Sequence, residues 1–178
     1  MPRARSISLT ARLAAVRLFL CDVDGILTDC SVFMDGQTEW KQFNVQDGLG
    51  LHLLQRFGVR VGWISGRSSP ATDQRARDLK VDFLYQGPER KVAVAEKYLA
   101  QLDLTWAQVS YMGDDLLDLG ILRRAGAAIS VPNGCAEAQA QAHYVTKAVG
   151  GHGAVREVVD LILRAQKHWD NLVEEYRQ

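Results

Sequence analysis

Two carboxylates one residue apart, Asp22 and Asp24, close the apolar run of "LFLCDVDGILTD" (18–29). At ~4 Å and an effective dielectric of ~20, two like charges repel by about 4 kcal/mol, so the pair calls for a cation. Three further polar signals follow along the chain: Ser65 in "ISGR", Lys91 in "YQGPERK", and Asp114 with Asp115 in "YMGDDLLD". A hard cation such as Mg²⁺ takes carboxylate and carbonyl oxygens in octahedral geometry. Asp22, Asp114 and the backbone carbonyl of Asp24 supply three of them. The set is complete for phosphoryl transfer, which needs a nucleophile, neutralisation of the phosphoryl oxygens and a proton for the leaving oxygen. Asp22 suits the nucleophile, forming an aspartyl phosphate. Asp24 suits the acid that protonates the leaving alcohol and the base that then activates water. The Ser65 hydroxyl, the Gly66 amide and Lys91 suit the phosphate oxygens.

Each signal has a plainer reading. A D-x-D pair also makes an Asx turn or a helix N-cap. Ser65–Gly66 after a strand reads as a turn, Lys91 at a helix start as a solvated side chain, and Asp114–Asp115 as a cap. What separates the readings is placement, because all four signals fall where a strand ends, in one order along the chain.

The elements that must position them alternate. Strand-like runs at 17–21, 60–65, 81–85, 108–113, 127–131 and 143–146 are separated by helical spacing at 47–57, 68–79, 89–102, 115–124 and 134–141. A last helix is expected from about Ala154 to Glu175. Such alternation predicts an α/β fold: a central, mostly parallel sheet covered on both faces, in three Rossmann-like layers within one domain spanning 1–178. The run 30–43 breaks the rhythm. Its Asp35–Gly36 turn between strand-like arms predicts a β-hairpin flap above the strand ends. Only 40 residues separate Asp24 from Ser65 and 22 separate Lys91 from Asp114, which leaves no room for a cap domain beyond the hairpin. A site so open to water suits a large substrate or a mouth closed by a neighbouring subunit. Val32, Phe33, Met34, Trp40 and Phe43 in the hairpin favour the subunit contact over packing on their own sheet.

Lys and Arg balance Asp and Glu at 21 each, which argues against nucleic acid or a membrane surface as a partner. No apolar run approaches the ~20 residues that span a bilayer. Cys21, Cys30 and Cys135 show neither metal-ligand nor disulfide spacing, as expected of a cytoplasmic chain. Cys21 reads as a core thiol, and His143 and His168 as structural or solvated. The acid-free stretch 1–16 reads as a basic tail entering a short helix, with a targeting peptide as the alternative.

The segments "DVDGILTD", "ISGR", Lys91 and "GDDLLD" resemble the four signature motifs of the haloacid dehalogenase (HAD) superfamily of aspartyl-phosphate phosphatases. The resemblance runs from about Leu18 to Gln166. It implies Asp22 as nucleophile, Asp24 as general acid/base, Ser65 and Lys91 as phosphate ligands, and Mg²⁺ held by Asp22, Asp24 and Asp114 with Asp115 on metal-bound water. "FNVQDGLG", "GRSSP", "LYQG" and "HYVTKAVGGHGAVREVVDLILRAQ" are similar to the 3-deoxy-D-manno-octulosonate 8-phosphate phosphatase family. That family serves lipopolysaccharide sugar synthesis as tetramers whose hairpins close neighbouring sites. The similarity implies a sugar-acid phosphate substrate held by Asp24, Asn44, Val45, Gln46, Asp47, Gly48, His52, Gly66, Arg67, Arg75 and Lys91. Free amides at the start of the helix after Asn44 would hold the sugar carboxylate. Arg67 and Arg75, on one helix face, would add charge-assisted contacts. Gln46 stands where the family usually has Arg, His52 where a basic residue is common, and His152 where Arg or Lys is common. These departures keep nonulosonate 9-phosphate phosphatases as an alternative.

Two readings of other classes remain. A phospho-acceptor receiver domain also gathers acids, a hydroxyl and a Lys, but with the acid pair early and the accepting Asp on a later strand, the reverse of the order here. A non-catalytic regulatory domain of HAD ancestry would lack an essential group, and none is missing.

Overall fold

The computed structural model describes residues 7–178; the first six residues of the basic tail lie outside them. Helix α1 (Leu9–Ala14), capped by Ser8, leads into strand β1 (Leu18–Cys21). The hairpin strands β2 (Phe33–Met34) and β3 (Glu39–Trp40) follow, then helix α2 (Val45–Arg56) and β4 (Arg60–Ser65). The rest alternates as α3 (Pro70–Asp78), β5 (Phe83–Gln86), α4 (Lys91–Leu102), β6 (Val109–Met112), α5 (Leu119–Leu122), β7 (Ala127–Ser130), α6 (Ala136–Gln141), β8 (Tyr144–Val145), α7 (Ala154–Ala165) and α8 (Trp169–Glu175).

Six strands form one parallel sheet in the order β5-β4-β1-β6-β7-β8, and β2 pairs with β3 apart from it. Moving from β1 to β4 and β5 the chain steps one way across the sheet. From β5 it crosses to β6 and steps the other way to β8. Right-handed crossovers then put the helices of the two runs on opposite faces. The core shows this: Phe19 and Cys21 of β1 pack with Leu51 and Leu54 of α2 and Val155, Val158 and Ile162 of α7. Leu18 and Leu20 pack with Val94 and Leu99 of α4 and Ile121 of α5. Every β1 side chain is fully buried because β4 and β6 flank it and helices cover both faces. Each large apolar side chain so buried contributes about 1.5–3 kcal/mol against exposure. The step direction reverses beside β1, so its carboxyl end, with Asp22 and Asp24, opens onto the crevice where sheets of this kind bind ligands.

Two local expectations are corrected. The single helix from Ala154 to Glu175 is two helices, broken where Lys167 takes a left-handed φ of 62°. The break lets His168 stack on Phe57, with ring centroids 4.4 Å apart, and Trp169 sit under Arg164. Phe43, expected on the hairpin surface, instead packs against the core and stacks on Trp63. The hairpin itself forms around Asp35–Gly36 as expected, its loop running from Asp35 to Thr38 with the Asp35 carboxylate accepting from the amides of Gln37 and Thr38.

Candidate active site

The β1–β6 ladder runs one residue past the strand, with Asp22 N donating to Met112 O, and so fixes Asp22 at the sheet rim. The turn after β6 delivers Asp114 to the same place. Carboxylate oxygens of Asp22, Asp114 and Asp118 lie within 4.8 Å of one another. Lys91, first residue of α4, reaches in behind them, 2.9 Å from Asp22 Oδ2 and 2.7 Å from Asp118 Oδ1. Burial, then the charge of Asp118, pushes the Asp22 carboxyl up to about 6 against the pull of Lys91. Burial and the charges of Asp22 and Asp118 push Asp114 up to about 7. Three carboxylates against one ammonium leave two negative charges uncompensated, and Asp114 Oδ1 is buried with no hydrogen-bond partner. A hard divalent cation meets both deficits, so the donor set fits Mg²⁺.

Asp118 was not anticipated. It is fully buried and accepts from Tyr111 OH (2.5 Å), Lys91 Nζ, and the amides of Asp114 and Asp115 (3.0 and 3.2 Å). Its four partners make it the fixture that orients both Lys91 and the Asp114 turn. Its place four residues after Asp114 was the one available signal. Gly25 is fixed by the same crowding: at φ 89°, a Cβ there would stand 2.0 Å from Asp114 Oδ2. Asn133, also unanticipated, ties the rim together, donating to Gly25 O and accepting from Gly150 N.

Asp24, Ser65, Gly66, Arg67 and Asp115 join Asp22, Lys91 and Asp114 around a cleft of about 260 Å³. A larger cleft of about 580 Å³ continues from it past Gly66, Lys91 and Leu117 along the start of α4. The Ser65 hydroxyl bridges the amide and carbonyl of Arg67, which shapes the turn. Asp115 stands at the rim with Oδ1 on the amide of Leu116, outside the carboxylate trio. The Arg67 guanidinium is held by both oxygens of Glu39 in β3.

Several expected substrate contacts are placed elsewhere. Asn44 Oδ1 accepts from the amides of Gln46 and Asp47, so those amides are not free for an anion. Asp47 is buried, its Oδ1 accepting from Arg156 N at the start of α7; it caps a helix rather than facing the cleft. Arg75 does not share a helix face with Arg67, because Ser69 and Pro70 begin α3 after Arg67. Arg75 instead lies on Gly48, where a Cβ would come 2.6 Å from its Nη2, and over the Phe43 ring. Val45, Gln46 and His52 are exposed on α2 and do not line the cleft; His152 is exposed beyond them.

This geometry agrees with what known proteins show. A family model described as haloacid dehalogenase-like hydrolase matches residues 83–158, the stretch that carries Lys91, Asp114 and Asp118. The 3-deoxy-D-manno-octulosonate 8-phosphate phosphatase KdsC of Yersinia pestis is 42% identical over 156 residues, covering 87% of this chain and 83% of that protein. The enzyme of the same name from Escherichia coli K12 is 36% identical over 166 residues, 93% of this chain and 88% of its own. Among solved structures, the Moraxella catarrhalis phosphatase of that name, in complex with a magnesium ion, a phosphate ion and a KDO molecule, superposes with a TM-score of 0.92 at 41% identity, covering 94% of this chain and 97% of its own. At these identities and coverages the chain belongs to the 3-deoxy-D-manno-octulosonate 8-phosphate phosphatase family.

Proposed function

We propose that the chain is a Mg²⁺-dependent phosphatase that hydrolyses 3-deoxy-D-manno-octulosonate 8-phosphate to the sugar acid and inorganic phosphate. The observation that carries this is the buried trio Asp22, Asp114 and Asp118 with Lys91 the one cation paired with it among the described residues. The likeness to the named relatives supports the substrate. Asp22 attacks phosphorus while the bond to the sugar oxygen breaks, and Asp24 gives that oxygen its proton. Water then attacks the aspartyl phosphate, Asp24 takes the water proton, and Asp22 is released. Lys91, Ser65 and the Gly66 amide hold the phosphoryl oxygens through both steps. Asp22, Asp114 and the Asp24 carbonyl, with Asp115 nearby, would hold Mg²⁺, which would supply neutralisation of the charge on the transferring group.

The oligomer belongs to the same proposal. Phe33, Met34 and Trp40 are exposed on the flap, and Val45 and Leu49 on the adjoining turn of α2. A homotetramer would cover them and bring Gln46 and His52 toward a neighbour's mouth. No helix among the described residues is long and apolar enough to cross a membrane; the cytoplasm is the proposed site of action.

The test is phosphate release from eight- and nine-carbon sugar-acid phosphates with Mg²⁺ and with EDTA. The expected result is Mg²⁺-dependent turnover favouring the eight-carbon ester by more than about tenfold in kcat/KM, or ~1.4 kcal/mol. A smaller ratio would contradict the substrate assignment.

A further inference from the structure

Lys41, just after the flap strand β3, has a wholly buried side chain although it belongs to the most exposed part of the molecule. Its ammonium lies 2.6 Å from Asp24 Oδ1 and donates to Thr72 Oγ1 at 3.3 Å. A buried ammonium is strongly disfavoured without a charge partner, and among the described residues Asp24 is the one acid paired with it. The dependence is mutual: Asp24 Oδ1 is itself buried and has no aligned hydrogen bond, and among the described residues its one ion pair is the contact with Lys41. Two residues earlier, on the same side of the strand, Glu39 is fastened by Arg67 and Ser69. The arm carrying Lys41 is therefore pinned at two points, while Trp40 between them faces outward.

We infer that Lys41 is a positioning residue for the proton-transfer step, holding one oxygen of Asp24 so that the other is presented to the leaving group. A flap residue thus sets the acid, and the acid is in place only while the flap is docked on its own chain. In the step concerned, the Asp22–phosphorus bond forms and the bond from phosphorus to the leaving oxygen breaks. The electron pair stays on that oxygen, which takes the proton from Asp24. An alkoxide leaving group needs that proton, whereas p-nitrophenolate departs without it. kcat/KM reports only the steps up to departure of the leaving group, so it isolates this role from the later attack of water.

The experiment compares kcat/KM for a primary-alkyl sugar phosphate and for p-nitrophenyl phosphate, with Mg²⁺, in wild type and Lys41→Met. Since a general acid is worth roughly 10²- to 10⁴-fold, the alkyl ester is expected to lose at least about tenfold and the aryl ester less than about twofold. Lys41→Gln carries the same expectation and keeps a polar partner for Thr72 should the methionine variant fail to fold. In an Asp24→Asn background, Lys41→Met should cost nothing further on the alkyl ester. Equal losses on both esters, no loss on either, or multiplying losses in the double variant would overturn the assignment. The inference rests on the phosphatase reading, and the two fail differently. A wild-type chain that releases phosphate from no ester sinks the reading, while unselective losses sink only the role of Lys41.

Discussion

A glycine hydrogen decides how close the two acid-bearing loops can come. Gly25 follows Asp24 at φ 89°, and the space a side chain would fill is taken by the Asp114 carboxylate. Gly25→Ala therefore carries both backbone strain of about 1–3 kcal/mol and a displaced Asp114. The expected outcome is a lower Tm and a Mg²⁺ affinity reduced by about tenfold or more, read by titration calorimetry. Wild-type affinity would show that Asp114 is not a ligand. At this scale the sequence revealed the charged ends of β1 and β6 and the Lys at the start of α4, because each stands next to its own apolar run. It hid Asp118 and Lys41. The charge partner of Asp118, Lys91, is 27 residues away and Thr72 is 31 from Lys41; no local pattern announces a pairing of that length, and the nearby amides on Asp118 left only its spacing from Asp114 as a signal.

The strands and most helices were legible because hydrophobic period and flanking turns agree for each of them. Where two local signals competed, the structure chose on tertiary grounds. The stripe Val155–Leu163 and the residues after it look continuous, yet the chain breaks at Lys167 to stack His168 on Phe57. Asn44 and Asp47 look like a ligand-binding start to α2, yet one caps α2 and the other caps α7. Helix α7 also grips the edge of the sheet through Glu157, which accepts from Tyr144 OH (2.7 Å) and the amides of Lys147 and Ala148. Partial burial would raise the Glu157 carboxyl, but these donors outweigh it and hold it below the ordinary 4.5. A carboxyl lowered by folding adds stability above its unfolded value and loses it as pH falls through the folded one. Glu157→Gln is thus expected to lower Tm at neutral pH and to shrink the fall in Tm as the solution is acidified below about pH 4.5. An unchanged acid slope would show that these bonds do not couple α7 to β8.

For the whole molecule, the sheet brings its chemistry to one rim and leaves that rim uncapped, with a flap whose outer side is apolar. Phe33 and Trp40 pair across β2 and β3 and are both more than half exposed. Isolated apolar side chains are ordinary on a surface, but this set is contiguous and stands beside the cleft. If the proposed tetramer forms through this face, Phe33→Ser with Trp40→Ser is expected to give smaller species by light scattering, with Mg²⁺ binding retained. A wild-type chain that runs as a monomer would remove the shared-mouth account. The central claim does not depend on assembly. It is that the carboxylate ending β1 carries the phosphoryl group between ester and water. Acid-quenching the enzyme during turnover of ³²P-labelled substrate with Mg²⁺ tests it most directly. The account predicts label on the peptide containing Asp22, and neither label nor turnover in Asp22→Asn. Label on any other residue, or undiminished turnover in that variant, would contradict it.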